Sequence, residues 1–302
     1  MIVLVAEDDL TSRVMLEAIL KKSGYESVTA KDGIEAWEIL QQESAPRLII
    51  LDWNMPGLDG MEICQRIRKK GGMDPPYIII LTGRGEVCDT IHGLQAGAND
   101  YITKPYNKEE LVARLKVGQR MLELQSNLNQ ARSDLTYKAT HDSLTGTLNR
   151  PAILEVLHKE FSRTTRLGNF LTIGMVDIDK FKDINDQYGH QVGDEVLMGL
   201  VQYLQNSLRN YDYLGRYGGD EFMIVLTHRS LSDIENAYNR LRSTICNHRI
   251  HTHVGEIQIT ISIGVAMKMA GMSLDQLLAA ADHALYQAKA YGRNQVAVSG
   301  AG

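Results

Sequence analysis

The stretch RYGGDEF, Arg216 to Phe222, runs two glycines straight into two adjacent carboxylates, Asp220 and Glu221, ahead of the apolar run FMIVL. Glycines accept the positive φ that a hairpin needs, so the segment reads as a Gly-Gly tip opening a buried strand. A second apolar segment, FLTIGMVDID, reads as a strand that carries Asp177 to its end. If the two strands are neighbours, Asp177 and Asp220 face one end of the sheet and can hold Mg²⁺ between them. Such paired carboxylates activate an attacking oxygen and neutralise phosphate charge. The backbone amides of IDKFK, Phe181 and Lys182 included, suit a triphosphate together with the side chains of Lys182, Lys289 and Arg293. Asn185 and Asp194 complement a guanine edge: the amide matches its carbonyl and ring nitrogen, and the carboxylate accepts from its N–H groups. Singly, each acid reads equally as a helix cap or solvated turn, and Lys289 as a snorkelling surface cation.

A second constellation lies in the first block. Glu7 and Asp8 follow IVLVA, Asp52 ends RLIILD, Thr82 ends YIIILT and Lys104 follows NDYIT. Three carboxylates at one edge repel one another unless a cation sits among them, and a hard ion such as Mg²⁺ prefers oxygen ligands. Asp52 beside that ion can act as a nucleophile and carry a phosphoryl group, with Lys104 and Thr82 holding its oxygens. Asp8 or Asp9 alone would read as an N-cap.

The elements that must hold these sets follow from patterning. At 302 residues the chain suits two domains, and 44% hydrophobic with 23% charged residues fits a globular protein. In residues 1–120, short apolar runs alternate with amphipathic segments such as EAWEILQQ and MEICQRIRKK. That alternation predicts α/β structure with a doubly wound parallel sheet, which gathers its strand-end residues at one ligand-binding edge. Residues 107–140 contain no proline and predict a helical linker. Along it Val117, Met121, Leu124, Leu128, Ala131 and Leu135 step by four, three, four, three and four, a heptad seam suited to a two-stranded coiled coil. The other reading is a single helix packed on its own domain. Residues 141–302 alternate less regularly and predict a mixed α/β domain with an antiparallel component.

A net charge of -5 offers no broad basic face and argues against a nucleic-acid partner. Cys64, Cys88 and Cys246 have no metal-like spacing, so a reducing, cytoplasmic setting is expected. The opening MIVLVAEDD has no basic n-region and too short an apolar run for a signal, and nothing later approaches a membrane helix.

With AEDD, DWNMPGLDG and TKP in this order, residues 1 to about 120 resemble a response-regulator receiver domain, whose sheet has five parallel strands. The resemblance implies that Asp52 is the phosphoacceptor, and that Asp8, Asp52 and the carbonyl of Asn54 bind Mg²⁺ with Glu7 assisting through water. It makes Thr82 and Tyr101 the switch pair and puts a cis peptide between Lys104 and Pro105. It also implies a cognate histidine kinase. The register takes Glu7 and Asp8 rather than Asp8 and Asp9, because this keeps the acids directly after VLVA.

Residues from about 137 to 298 resemble a GGDEF domain, a diguanylate cyclase, through an unmodified GGDEF at Gly218 to Phe222 with DSLTGTLNR, DIDKFKDINDQYGHQVGDEVL and AKAYGRN in order. Thr147, where the family usually has Leu, and Pro151 are departures, both away from the chemistry. The resemblance implies condensation of two GTP into cyclic di-GMP and two pyrophosphates across a homodimer. It makes Asp177, Asp220 and the Ile178 carbonyl metal ligands and Glu221 a metal-proximal acid, with the general base left open. Arg209 and Asp212, an RxxD pair with five residues between it and Gly218, match the family's product-inhibition site, to which Arg240 or Arg242 adds a second surface. Phosphorylation of Asp52 would then pair two receivers and oppose two GTP sites. Two other outcomes stay open: a catalytically silent cyclic di-GMP or GTP sensor, and a cyclase making a mixed guanine/adenine product.

Overall fold

A computed structural model describes the chain apart from residues 73, 84–96, 168–169, 229–231 and 300–302, so Cys88 lies outside the described residues. The chain divides into two compact units, Met1–Ser133 and Asp134–Gly302.

In the first unit, strands β1 (Ile2–Ala6), β2 (Glu26–Ala30), β3 (Leu48–Asp52), β4 (Tyr77–Thr82) and β5 (Asp100–Thr103) pair in parallel in the order β2-β1-β3-β4-β5. Helices α1 (Leu10–Lys22), α2 (Gly33–Leu40), α3 (Gly60–Lys70) and α4 (Lys108–Thr140) connect and cover them. Alternate strand residues serve two cores. Val3, Val5, Leu48 and Ile50 meet Leu16 and Leu20 of α1 and Leu111 and Leu115 of α4. Leu4, Ala6, Ile49 and Leu51 meet Ala36 of α2 and Ile63 and Cys64 of α3. Burial on both faces is why these strands read as unbroken apolar runs. The strand order reverses at β1, so β1 and β3 end side by side at the switch point.

Helix α4 is divided lengthwise. Leu111, Leu115 and Leu122 are buried in the core, whereas Val117, Met121, Leu124, Leu128 and Leu135 of the heptad seam are exposed. Packing on its own domain therefore accounts for one face of the helix and leaves the seam exposed among the described residues. Between the buried leucines, Gly118 lets the helix approach the sheet: an added Cβ would lie 2.6 Å from the Tyr77 ring and 2.8 Å from Leu48. Gly118→Ala gains about 1 kcal/mol of helix propensity but overpacks a filled interface at about 1–3 kcal/mol. Net destabilisation is the expected result, read as a lower denaturant midpoint.

In the second unit, β6 (Phe170–Ile178), β7 (Tyr213–Gly218), β8 (Glu221–His228), β11 (Ile261–Met267) and β12 (Val296–Val298) form a mixed sheet in the order β12-β11-β6-β8-β7. Only β11 and β12 run parallel. Helices α7 (His190–Ser207) and α8 (Ser232–Asn247) cover one face, burying Val176, Phe222 and Ile224. Helices α5 (Arg150–Leu167) and α9 (Leu274–Ala290) cover the other over Ile173, Met175 and Met223. The short α6 (Phe181–Tyr188) and a ribbon of β9 (Arg249–Thr252) and β10 (Gly255–Gln258) complete the unit. Among the described residues no helix is long and apolar enough to cross a membrane.

Candidate functional site

Antiparallel pairing of β6 with β8 sets Asp177 opposite Glu221. The hairpin tip is one residue later than the Gly-Gly reading. Gly218 still pairs with Glu221, past a bulge after Arg216, and the turn itself is Gly219, at φ +50°, with Asp220. Strand register thus delivers Asp177, Asp220 and Glu221 to one end of the sheet. Asp177 is buried, with the Lys289 ammonium 2.6 Å from its Oδ2. Burial pushes the Asp177 carboxyl above its ordinary value, the charges of Asp220 and Glu221 push the same way, and Lys289 opposes them. A buried acid that feels the charge of two others is a place where a divalent cation relieves repulsion. Lys289 is held there by close packing of its helix: a Cβ on Gly264 of β11 would lie 2.0 Å from the Leu285 amide nitrogen of α9.

Helix α6 opens at Phe181 with no side-chain cap, Lys180 before it being left-handed at φ 58°, so the first-turn amides of Phe181 and Lys182 are free of a side-chain acceptor. Asn185 lies in α6 and Asp194, exposed, in α7. The Asn185 Oδ1 is buried with no partner among the described residues, and a Cβ on Gly193 would stand 1.9 Å from it. Arg293 is exposed beyond the end of α9 in a left-handed conformation at φ 63°.

The RxxD pair closes on itself. The Arg209 amide donates to Asp212 Oδ2 at 2.9 Å, and the Asp212 amide to the Arg209 carbonyl at 2.9 Å. Together with Arg240, Asn236 and Leu208 they line a cavity of about 270 Å³. The two arginines left open by the sequence part company here. Arg240 faces this cavity, whereas Arg242 is turned to Asn294, donating to its Oδ1 at 2.9 Å.

In the first unit, ligand oxygens of Glu7, Asp8 and Asp52 all lie within 4.8 Å of one another, the only such acidic group among the described residues. Lys104 Nζ is 2.7 Å from Glu7 Oε2 and 2.9 Å from Asp52 Oδ2. Burial raises the Glu7 carboxyl above its usual range and Lys104 pulls it back, with the Asp52 charge a smaller push upward. Asp9 is committed elsewhere, as the N-cap of α1 accepting from the Ser12 amide at 2.7 Å. Of the two registers, it is Glu7 and Asp8 that stand together with Asp52. Asn54 is exposed two residues past β3, and Thr82 ends β4 half-buried. Tyr101 packs on the α3 side with its hydroxyl buried and unpartnered among the described residues, and burial pushes its pKa up to about 12. Lys104–Pro105 is cis.

The family model described as "Diguanylate cyclase, GGDEF domain" matches residues 139–295, just over half of the chain. The chain belongs to the GGDEF family. A response regulator receiver domain matches residues 3–116 ahead of the GGDEF domain. Diguanylate cyclase DosC of Escherichia coli is 40% identical over 156 residues, 51% of this chain and 34% of that protein. Response regulator PleD of Caulobacter vibrioides is 30% identical over 255 residues, 82% of this chain and 56% of PleD. The chain therefore spans between about a third and somewhat over half of these relatives' lengths. Among solved structures, the coiled coil and GGDEF domain of DgcB from Caulobacter crescentus in complex with c-di-GMP matches with a TM-score of 0.56 at 28% identity, over 62% of this chain and 98% of that one.

Two residues of the GGDEF domain that sequence reasoning passed over support this site. Arg216 donates from Nε to the Gly219 carbonyl at 2.8 Å and from Nη1 to Asp142 at 3.0 Å, tying the DSLTG turn to the hairpin tip. Thr147, the departure from the family pattern, is buried in this turn with its hydroxyl 3.0 Å from that of Thr145. Asp179, buried two residues past Asp177, accepts from Thr260, Ser262 and Asn294. Its only sequence signal is the second Asp of DID, one residue past the end of β6 at Ile178. For Asp142, burial works against the charge, but hydrogen bonds from Thr145 and then Arg216 outweigh it and hold the pKa below 3.8. A depressed carboxylate contributes stability above its ordinary pKa and loses it as pH falls through the folded value. Asp142→Asn is expected to cost about 1–2 kcal/mol at neutral pH, a deficit that chemical melts should find shrinking as the pH falls below 3.8.

Proposed function

We propose that this chain is a phosphorylation-regulated diguanylate cyclase that condenses two GTP into cyclic di-GMP and two pyrophosphates across a homodimer. The observation that carries the reading is Asp177, set opposite Glu221 by the β6–β8 register and paired with Lys289 at 2.6 Å. Each GGDEF domain holds one GTP. The 3′-hydroxyl of one attacks the α-phosphorus of the other, the bond to the bridging oxygen breaks, and pyrophosphate leaves; the reciprocal step closes the ring.

The residues fit Mg²⁺ by donor chemistry: Asp177, Asp220 and the Ile178 carbonyl are hard oxygen ligands, and burial, with the charges of Asp220 and Glu221 adding to it, raises the Asp177 pKa where a cation would lower it. Bound there, the ion neutralises phosphate charge and polarises the attacked phosphorus. Lys289 and Arg293 bind phosphate oxygens, with Lys182 and the uncapped amides of α6 completing the cradle. Asn185 and Asp194 orient the guanine, and the unpartnered Asn185 Oδ1 supports a side chain awaiting a ligand. Glu221 stands beside the metal as an auxiliary acid.

The receiver governs this chemistry. Glu7, Asp8, Asp52 and the Asn54 carbonyl hold a second Mg²⁺, and Asp52 accepts a phosphoryl group from a histidine kinase. Lys104, already on Asp52, then binds a phosphoryl oxygen while Thr82 and Tyr101 respond to the new charge. The exposed seam of α4 meets the same seam of a second copy, bringing two GTP sites into opposition. Product returns to the cavity lined by Arg209, Asp212 and Arg240 and inhibits. Arg240→Ala is expected to raise the half-inhibiting concentration of cyclic di-GMP about tenfold, the worth of one charge-assisted contact. Arg242→Ala should leave it in place.

The reading is tested by incubating purified protein with Mg²⁺ and GTP, with and without beryllofluoride, and following pyrophosphate and cyclic di-GMP. Product that rises with the phosphoryl mimic is expected. No product in either state, with cyclic di-GMP still bound, would make the chain a binding module.

A further inference from the structure

Beyond the substrate contacts just assigned, and resting on that assignment of Arg293 to the GTP phosphates, we infer that Asp179 is the positioning residue that holds the phosphate-binding turn after α9 in place. The turn needs holding. Gly292, Arg293 and Asn294 all have positive φ, at 116°, 63° and 43°; glycine and asparagine enter that region readily, but the arginine between them does not. Consecutive residues in such conformations persist only where surroundings over-determine them.

The surroundings here are specific. Asp179 Oδ2 accepts from the Asn294 amide at 2.9 Å and from the Thr260 hydroxyl at 2.7 Å, while Oδ1 accepts from the Ser262 hydroxyl at 2.7 Å. Its own amide donates to the carbonyl of Thr260, the residue before β11, at 3.0 Å, so Asp179 is tied to the start of that strand by backbone and side chain. From the other side Arg242 Nη1 donates to the Asn294 carbonyl at 3.3 Å and Oδ1 at 2.9 Å. Asn294 is thus clamped between a carboxylate and a guanidinium, and neither clamp touches the Arg293 guanidinium. The end of β6 and the residue just past it therefore do two jobs. Asp177 fixes Lys289 of α9 directly, and Asp179, through the backbone of Asn294, fixes the direction in which Arg293 leaves the chain.

A misaimed cation weakens binding of the triphosphate, so the effect belongs in substrate affinity. The measurement is the Kd of 3′-deoxy-GTP with Mg²⁺, which binds without being able to attack, for full-length wild type, Asp179→Ala, Asp179→Asn, Arg293→Ala and the Asp179→Ala/Arg293→Ala pair. Asp179→Ala should weaken binding between about tenfold and a hundredfold. The double variant should be no weaker than Arg293→Ala alone, because both changes remove the same contact. Asp179→Asn should restore most of the affinity, since its carbonyl oxygen can still accept from the Asn294 amide and the Thr260 hydroxyl while the Ser262 hydroxyl turns to accept from its amide nitrogen. Thermal melts run alongside identify any variant that has failed to fold; the Asn variant then carries the comparison with Arg293→Ala. If Arg293→Ala binds like wild type, the phosphate role of Arg293 falls and this inference with it. If Arg293→Ala weakens binding but the Asp179→Ala effect multiplies on top of it, the phosphate reading stands and the positioning role of Asp179 is overturned.

Discussion

Asp177→Asn should lower GTP turnover by at least about a thousandfold without unfolding the protein. The substitution keeps the shape of the side chain and removes one charge. In the proposed site that charge is a metal ligand and the anchor of Lys289, 2.6 Å away, so both the cation and the phosphate-facing ammonium lose their reference point together. Stability should move the other way. Burial and the neighbouring Asp220 and Glu221 hold the Asp177 pKa above its ordinary 3.8. A group raised in the folded state contributes its stability in full below the ordinary pKa and loses it as pH rises through the folded value. At neutral pH the metal-free wild type therefore carries a charge that the fold disfavours, and the asparagine variant does not. Thermal melts without metal should place Asp177→Asn at or above wild type at neutral pH, the difference closing in acid, while Mg²⁺ should stabilise wild type alone. Turnover within tenfold of wild type would remove Asp177 from the metal site.

The parts of this site that could be read from sequence are those set by local pattern. Apolar runs ending in acids placed Glu7, Asp8 and Asp52 at one edge of a doubly wound sheet, because β1 and β3 are adjacent in any such order with its reversal there. Asp177 and the GGDEF tip were legible for a similar reason, since a hairpin strand must pair with something and the strand FLTIGMVDI was available. What escaped depends on register between distant segments. Nothing local in DSLTG says that Asp142 receives Arg216 from 74 positions away. The tip itself moved by one residue because a bulge after Arg216 shifted the ladder. Arg240 and Arg242 could not be separated without knowing which face of α8 meets the core. Residues two apart on a helix point in different directions, so only one of them reaches the cavity. Asp179 was hidden by its neighbour: two acids in DID look alike until strand pairing shows one meeting a lysine and the other a backbone amide.

Asp52→Asn is expected to abolish phosphoryl uptake from acetyl phosphate, read by intact mass, and to leave GTP turnover with no response to beryllofluoride. The loss should be complete rather than graded, because phosphoryl transfer needs the carboxylate oxygen as nucleophile and an amide does not replace it. The cluster should otherwise survive. Lys104 keeps its 2.7 Å contact with Glu7, and removal of the Asp52 charge relieves one of the influences that raise the Glu7 pKa. The variant thus separates acceptance from cation binding, since Glu7 and Asp8 still offer oxygens on either side of the lost one. Phosphoryl uptake that persisted in Asp52→Asn would point to Asp8, the exposed acid of the same cluster, as the acceptor. In that case Lys104, which sits on Asp52 and not on Asp8 in this structure, would have to change partners on phosphorylation. A loss confined to Asp52 instead makes Lys104 a residue already at the place where the phosphoryl oxygens arrive, so the signal begins as a change in what that ammonium neutralises.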